Sequence, residues 1–403
     1  MEKENIKVNV IITGCIHGCL KKMYDDILNY SQKNNIKIDL VLCTGDFESL
    51  IEKKDLNYLS CPDKYKHMGD FHLFYEGKYP IPYTTIFIGG NHEASNILDS
   101  NFYGGYICEK IYYLGRTGSI NFKGIKICGI SGIYNYFDYF KGHFEKNIAN
   151  NIKSIFHVRE FDIAKLSFIK QKIDIFVSHD WPTNIISKED LNEILKINSN
   201  WNNDILKGKL RSFPNEFLLK MLKPKNWACG HMHFYYKNII YHNDDSQTNV
   251  FCLDKCLNKR KYFELIQIEK SINEIDINDN NIYIDNEWIN ITQNFNEIFP
   301  CENINYDYSN FIRNNGEYLE MKKKAYSNFQ KLNEGNFNYF KDEFMDNRKK
   351  EKSNLELFKV NYNINQYESM IQIFNIKDSH RLKKSIQKVN TEKNEEEIDL
   401  NDI

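Results

Sequence analysis

No apolar run in this chain is longer than a strand. Stretches such as Val8 to Ile12 and Ile173 to Val177 fall far short of the roughly 20 residues that cross a bilayer, so no membrane-spanning helix is expected. An excess of either charge is also missing. The 403 residues carry 53 Lys and Arg against 55 Asp and Glu, a formal net charge of −2, so bulk attraction to nucleic acid is excluded and any polyanion site must be a local patch of metal ions and Lys or Arg. The ten cysteines (15, 19, 43, 61, 108, 128, 229, 252, 256 and 301) lack the short regular spacing of a disulfide framework. No apolar stretch follows the start Met1-Glu2-Lys3, and reduced thiols in an intracellular compartment are the expectation.

What the chain does contain is a series of short apolar runs, each ending in a turn that carries a metal-ligand type. Ile86-Phe87-Ile88 runs into Gly89-Gly90 and then Asn91-His92. Alone this reads as an ordinary turn, since Gly and Asn dominate turns everywhere. The pattern recurs. Val8 to Ile12 ends in Thr13-Gly14-Cys15-Ile16-His17-Gly18 before an amphipathic helix from about Leu20 to Gln32. Asp39 to Cys43 ends in Thr44-Gly45-Asp46-Phe47, Ile173 to Val177 in Ser178-His179-Asp180-Trp181-Pro182, and Trp227-Ala228-Cys229 in Gly230-His231-Met232-His233. Alternating β and α elements bring such strand ends to one sheet edge, which would gather Cys15, His17, Asp46, Asn91, His179, His231 and His233.

Seven donors of this kind suit two adjacent cations. Cys15, His17 and His233 would hold one, Asn91, His179 and His231 the other, with Asp46 between them. A two-metal site clamps a phosphate and makes hydroxide from water at neutral pH, as in-line attack on phosphorus requires. His92 is left without a ligand role, and beside Asn91 it is placed to protonate a leaving oxygen.

Gly-Cys-Ile-His-Gly, Gly-Asp-Phe, Gly-Gly-Asn-His-Glu-Ala-Ser, Ser-His-Asp-Trp-Pro and Gly-His-Met-His resemble the ordered blocks of the calcineurin-like metallophosphoesterases. Within that superfamily the chain is similar to the RNA lariat debranching enzymes, which carry Cys where most members have Asp in the first block. Further matching stretches are Gly129 to Tyr134, Lys141 to Glu145, Phe156 to Arg159 and Leu253 to Leu257, and the likeness covers roughly residues 7 to 300. The resemblance implies an α/β metallophosphoesterase β-sandwich flanked by helices. It also implies hydrolysis of the 2′–5′ phosphodiester of branched RNA with Fe²⁺, Zn²⁺ or Mn²⁺, in the nucleus and in second place the cytoplasm. A lariat recognition segment is expected over 125–160, with Tyr134, Lys141, His157 and Arg159 toward the substrate.

The expected division is a catalytic domain over 1–269, a small mainly helical C-terminal appendage over 270–345 and a disordered Lys/Glu/Asn-rich tail over 346–403. Two departures from the family pattern stand out. Glu48-Ser49-Leu50-Ile51-Glu52 replaces a usual Gln followed by Arg-Asn, which removes a cation that could meet a phosphate. The stretch between Pro182 and Trp227 matches nothing clean. The alternatives are a cyclic-nucleotide phosphodiesterase or protein phosphatase, against which stand Cys15 and the lack of an Asp-Arg pair after the second block, or a scaffold of the same fold, which would have lost ligands.

Overall fold

The computed structural model describes residues 5–197, 212–271, 279–327, 338–339, 357–360 and 374. The strands in chain order are β1 (Asn5–Thr13), β2 (Leu40–Cys43), β3 (Thr85–Phe87), β4 (Gly105–Cys108), β5 (Ile111–Tyr113), β6 (Thr117–Phe122), β7 (Ile125–Ile130) and β8 (Ile175–Ser178). They continue with β9 (Asn226–Cys229), β10 (Tyr236–Tyr241), β11 (Gln247–Cys252), β12 (Phe263–Ser271), β13 (Ile282–Asp285), β14 (Tyr306–Asp307), β15 (Asn338–Tyr339) and β16 (Leu357–Val360). The principal helices are α1 (Leu20–Asn34), α2 (Phe71–Tyr75), α3 (Ser95–Ser100), α4 (Tyr136–Tyr139), α5 (Glu160–Leu166), α6 (Lys188–Ile197), α7 (Phe213–Leu222), α8 (Asn286–Asn296) and α9 (Asn315–Ser327).

Among the described residues two mixed sheets form, a six-stranded one ordered β12-β1-β2-β3-β5-β4 and an eight-stranded one ordered β10-β11-β9-β8-β7-β6-β13-β16, beside a two-stranded pairing of β14 with β15. The side-chain period of two decides which face meets what. Along β1 and β2, Val8, Val10, Ile12, Leu40 and Leu42 join the core shared by the two sheets, while Ile11, Val41 and Cys43 turn the other way onto α1. Burial on both faces explains why these strands read as near-continuous apolar runs. β1, β2 and β3 run parallel, as do β7, β8 and β9. Their carboxyl ends therefore lie together at one edge of each sheet, the usual place for a site in such a fold.

Helix α1 has no cap from its own flanking residue. Asp70 supplies one from a distant loop, its carboxylate accepting from Leu20 N at 2.7 Å and Lys21 N at 2.9 Å, which satisfies two of the orphan donors of a helix start. The connection that carries Asp70 thus holds the helix that follows the Cys15–His17 turn, and it contains the short helix α2.

The C-terminal part departs from a separate appendage. It begins with β13, which pairs antiparallel with β6 through Ile282↔Phe122 and Tyr283↔Asn121 and so extends the catalytic sheet. The stretch expected to be disordered also contributes, because β16 pairs with β13 and Phe374, fully buried, stacks on Tyr103 at 5.6 Å. Phe358 and Val360, one aromatic and one β-branched, favour a strand at Leu357–Val360 once an edge is offered. The remainder of 346–403 lies outside the described residues.

Candidate metal centre and active site

Five strand ends deliver the donors. Asp46, after β2, has its carboxylate buried between two histidines: Oδ2 lies 3.6 Å from His17 Nε2 and Oδ1 3.4 Å from His179 Nε2. The donor atoms of Cys15, His17, Asp46 and His233 all fall within 4.8 Å of one another. On the other side of Asp46, His179 Nε2 is 3.2 Å from Asn91 Oδ1, and the His231 ring lies 4.9 Å from that of His179. The fold thus brings together all seven donors expected from the sequence. His92 sits at their rim, half-exposed, with its backbone N donating to Asp46 Oδ1 at 2.8 Å and its ring 5.7 Å from that of His17.

Two of the imidazoles are turned by a partner on the far nitrogen. His179 Nδ1 donates to Thr44 O at 2.8 Å and His17 Nδ1 faces Glu48 Oε1 at 3.1 Å, so in both rings Nε2 points into the cluster, the orienting arrangement that metal-binding histidines use. The backbone is bent to the same end. His17, Asp46, His231 and His233 all have φ between 46° and 63°, a conformation that costs a non-glycine residue about 1–3 kcal/mol and collects at functional sites. Hydrogen bonds hold it in place: the Asp46 carbonyl accepts from Ile16 N at 3.1 Å and His17 N at 2.7 Å.

Two glycines are needed for close approach. A Cβ on Gly90 would lie 2.1 Å from Asp46 Oδ1, and one on Gly45, itself at φ 106°, 2.5 Å from His179 Nδ1. For Gly90 the reason is therefore room for the Asp46 carboxylate rather than turn conformation.

Glu93 is a site residue that motif reasoning missed. Fully enclosed, its carboxylate accepts from Phe47 N, Glu48 N and Gly90 N at 2.8–2.9 Å and so staples the Asp46 turn to the Asn91 turn. Burial and the neighbouring Asp46 push its pKa up to about 8. Glu48, noted only as a departure, orients His17.

The electrostatics suit cation binding. Burial, then the charge of His179 on His231 and of His17 on His233, pull both pKa values down to about 3, leaving neutral lone pairs at pH 7. Burial disfavours charge on Asp46, but His179, His17 and His92 outweigh it and hold the carboxylate well below its usual range. Burial and Asp46 push the Cys15 thiol well up, and His231 N donates to its Sγ at 3.1 Å. A sulfur, imidazole nitrogens, one amide oxygen and a shared carboxylate form a donor set for borderline divalent ions rather than for magnesium, which takes oxygen donors.

The expected recognition segment starts beside this cluster. Gly132 N donates to Gly89 O at 2.8 Å and Tyr134 N to Asp180 Oδ2 at 3.1 Å. Of the four residues expected to face substrate, Tyr134 and Lys141 are half-exposed, with Lys141 Nζ on Asp138 at 3.0 Å. The other two need correction. Arg159 is fully buried, its guanidinium paired with Glu145 and donating to Asp138 O at 3.0 Å. His157, 8% exposed, has Nδ1 2.6 Å from Asp138. Both tie the segment together from inside and cannot reach an outside phosphate. Tyr139 and Phe140 are likewise interior, whereas Phe137 is 61% exposed.

One buried pair here sets a pH dependence. Burial pulls His143 down to about 4 from its ordinary 6.5 against the pull of Asp162, whose Oδ1 is 3.1 Å from Nε2. The unfolded chain then binds the extra proton between pH 6.5 and about 4, so this contribution is complete above pH 6.5 and lost as pH falls through that window. Integrated at 1.36 kcal/mol per pH unit, the loss is about 3 kcal/mol. Thermal unfolding from pH 7 to 4 should be shallower in His143→Gln than in wild type; equal slopes would refute a neutral buried His143.

Comparison with known proteins agrees with this geometry. Residues 8–235 match the model of the calcineurin-like phosphoesterases and residues 245–379 that of the lariat debranching enzyme C-terminal domain. The chain is 40% identical over 296 residues to the lariat debranching enzyme of Arabidopsis thaliana, covering 73% of this chain and 70% of that one. It is 41% identical over 257 residues to that of Entamoeba histolytica, covering 63% and 70%. With the Homo sapiens enzyme identity is 37% over 317 residues, 77% of this chain but 57% of the longer relative. A buried cluster of sulfur, nitrogen and carboxylate donors at the strand ends of two sheets, continued by the matching C-terminal domain, makes this chain a member of the lariat debranching enzyme family of calcineurin-like phosphoesterases.

Proposed function

We propose that this chain is a metal-dependent phosphodiesterase that hydrolyses the 2′–5′ bond at the branch point of excised intron lariat RNA and so linearises it. The observation carrying this reading is the close approach of Cys15, His17, Asp46 and His233, with Asn91 and His179 on the other side of the same Asp46 carboxylate. Cys15, His17 and His233 would hold one cation, Asn91, His179 and His231 the other, and Asp46 both. Bound there, zinc, ferrous iron or manganese would supply Lewis acidity at the phosphate and lower the pKa of water toward neutrality. His92 donates a proton to the departing 2′ oxygen as the water oxygen bonds to phosphorus, the water gives up a proton to solvent, and the bond from phosphorus to the 2′ oxygen breaks. Residence in the nucleus, and secondarily the cytoplasm, follows from the substrate alone and belongs to the proposal.

Offering branched RNA, a cyclic nucleotide and a phosphoprotein side by side tests it. The branched RNA should be linearised; cleavage confined to either of the others refutes the reading.

Specificity for a branch is assigned to the outer surface of the 132–159 segment. Phe137, 61% exposed, offers a ring on which an unstacked base can rest, with Tyr134 and Tyr136 half-exposed beside it. Replacing Tyr134 and Lys141 together with Ala should abolish most cleavage of branched RNA while a small unbranched aryl phosphodiester is still hydrolysed. Parallel loss of both activities, with a lowered Tm, would make the segment packing alone.

A further inference from the structure

With Arg159 enclosed and Lys141 on Asp138, the recognition segment offers fewer cations to RNA than its composition implies. The Cys15–His233 side of the site carries a denser set. Residues 255–261 read Lys-Cys-Leu-Asn-Lys-Arg-Lys, four cations in seven positions with no acid among them. This loop is fixed to the metal-bearing turns: Cys256 N donates to Cys15 O at 2.8 Å, Leu253 N to Cys229 O at 2.8 Å, and Arg260 Nη1 to the carbonyl of His233 at 3.4 Å. Its approach is so close that a Cβ on Gly14 would fall 1.9 Å from Asp254 O.

The four cations are not equivalent. Arg260 is held by Asp254 at 3.0 Å, and Lys261 by the Tyr235 ring at 4.0 Å and by Glu264 at 3.4 Å. Lys255 and Lys259 have no ion-pair partner among the described residues. Lys255 is half-buried, and its charge is one of those acting on His233. Lys259 is exposed in a turn closed by Arg260 N on Leu257 O at 3.2 Å, at φ 63°, where a glycine would sit with less strain.

We propose that the Asp254–Lys261 loop is a second RNA contact, in which Lys255 and Lys259 take backbone phosphates of an RNA arm leaving the site on the Cys15–His233 side, away from the 132–159 segment. This rests on the proposed action on branched RNA. Two anchorages, one on the Cys15–His233 turns and one on the Gly89 and Asp180 turns, suit a branched substrate, which sends strands out in more than one direction.

The test is binding of a branched oligoribonucleotide to metal-free protein, by fluorescence anisotropy across a potassium chloride series, with Lys255→Ala/Lys259→Ala and Lys255→Arg/Lys259→Arg beside wild type. Each phosphate contact to a single strand contributes about 0.7 to the slope of log affinity against log salt. The Ala pair should therefore reduce that slope by about 1.4 and weaken affinity ~25-fold near 0.1 M salt. The Arg pair should restore both, and the ratio of branched-RNA to aryl-diester cleavage should fall only in the Ala pair. Wild-type affinity and slope in the Ala pair overturn the proposal. So does weaker binding at an unchanged slope, which would report lost shape rather than lost charge. A wild-type protein that binds branched RNA with this salt dependence yet does not cleave it would refute the proposed function and leave the loop's role standing.

Discussion

His92→Ala is expected to lower the single-turnover rate on branched RNA by roughly 10²–10⁴-fold, the range for loss of a general acid, while metal content and RNA affinity hold. The separation follows from how His92 is attached. Its link to the cluster is its backbone N, which donates to Asp46 Oδ1 at 2.8 Å and survives truncation to alanine. Its ring stands half-exposed at the rim, where a substrate oxygen can meet it. Atomic emission on the purified variant, with single-turnover cleavage, decides the matter. Collapse of metal content would make His92 a ligand or a structural residue instead.

The second large effect concerns Cys15. Chelated protein should be inactive and should recover turnover with zinc, ferrous iron or manganese but poorly with magnesium, because a cysteine sulfur beside imidazole nitrogens favours softer ions over one that demands oxygen ligands. Cys15→Ser should weaken metal retention by more than about 100-fold, beyond the 10–100-fold expected for an outer orienting partner. Full recovery with magnesium alone, while the other three do nothing, would refute the assignment. Unchanged metal content in Cys15→Ser would reduce Cys15 to a core filler.

Much of the site was legible because the strands that carry it are short, apolar and followed at once by glycine, and parallel strands place such ends together. Asp46 and His179 lie 133 positions apart, yet each is the first ionisable group after its strand and turn or next to it. The residues that hold the donors in place were not legible. Glu93 acts across 46 residues on Phe47 N, and nothing in local spacing marks a carboxylate whose partners are distant backbone donors. Arg159 failed for the converse reason: composition cannot distinguish a cation that faces solvent from one matched to an interior Glu145. β10 went unread because its residues are alternately half-buried and exposed at a sheet edge, in a stretch of the Asn, Lys, Ile and Tyr that this chain uses everywhere. β13 was missed because pairing with β6 is a property of the partner strand as much as of its own four residues.

The pairing of β1 with β12 places Asn9 opposite Gln267 and makes the first strand depend on one made more than 250 residues later. Synthesis runs from the N-terminus, so a growing chain leaves that side of β1 open, and the Cys15 turn without Cys256 against it, until the region around residue 271 has emerged from the ribosome. Long-range pairing of this kind is slow and leaves strand edges open to wrong partners meanwhile. It also ties competence to completion: a nascent fragment that stops before β12 can carry all seven donors in its sequence and still lack the wall that holds the first of them in position.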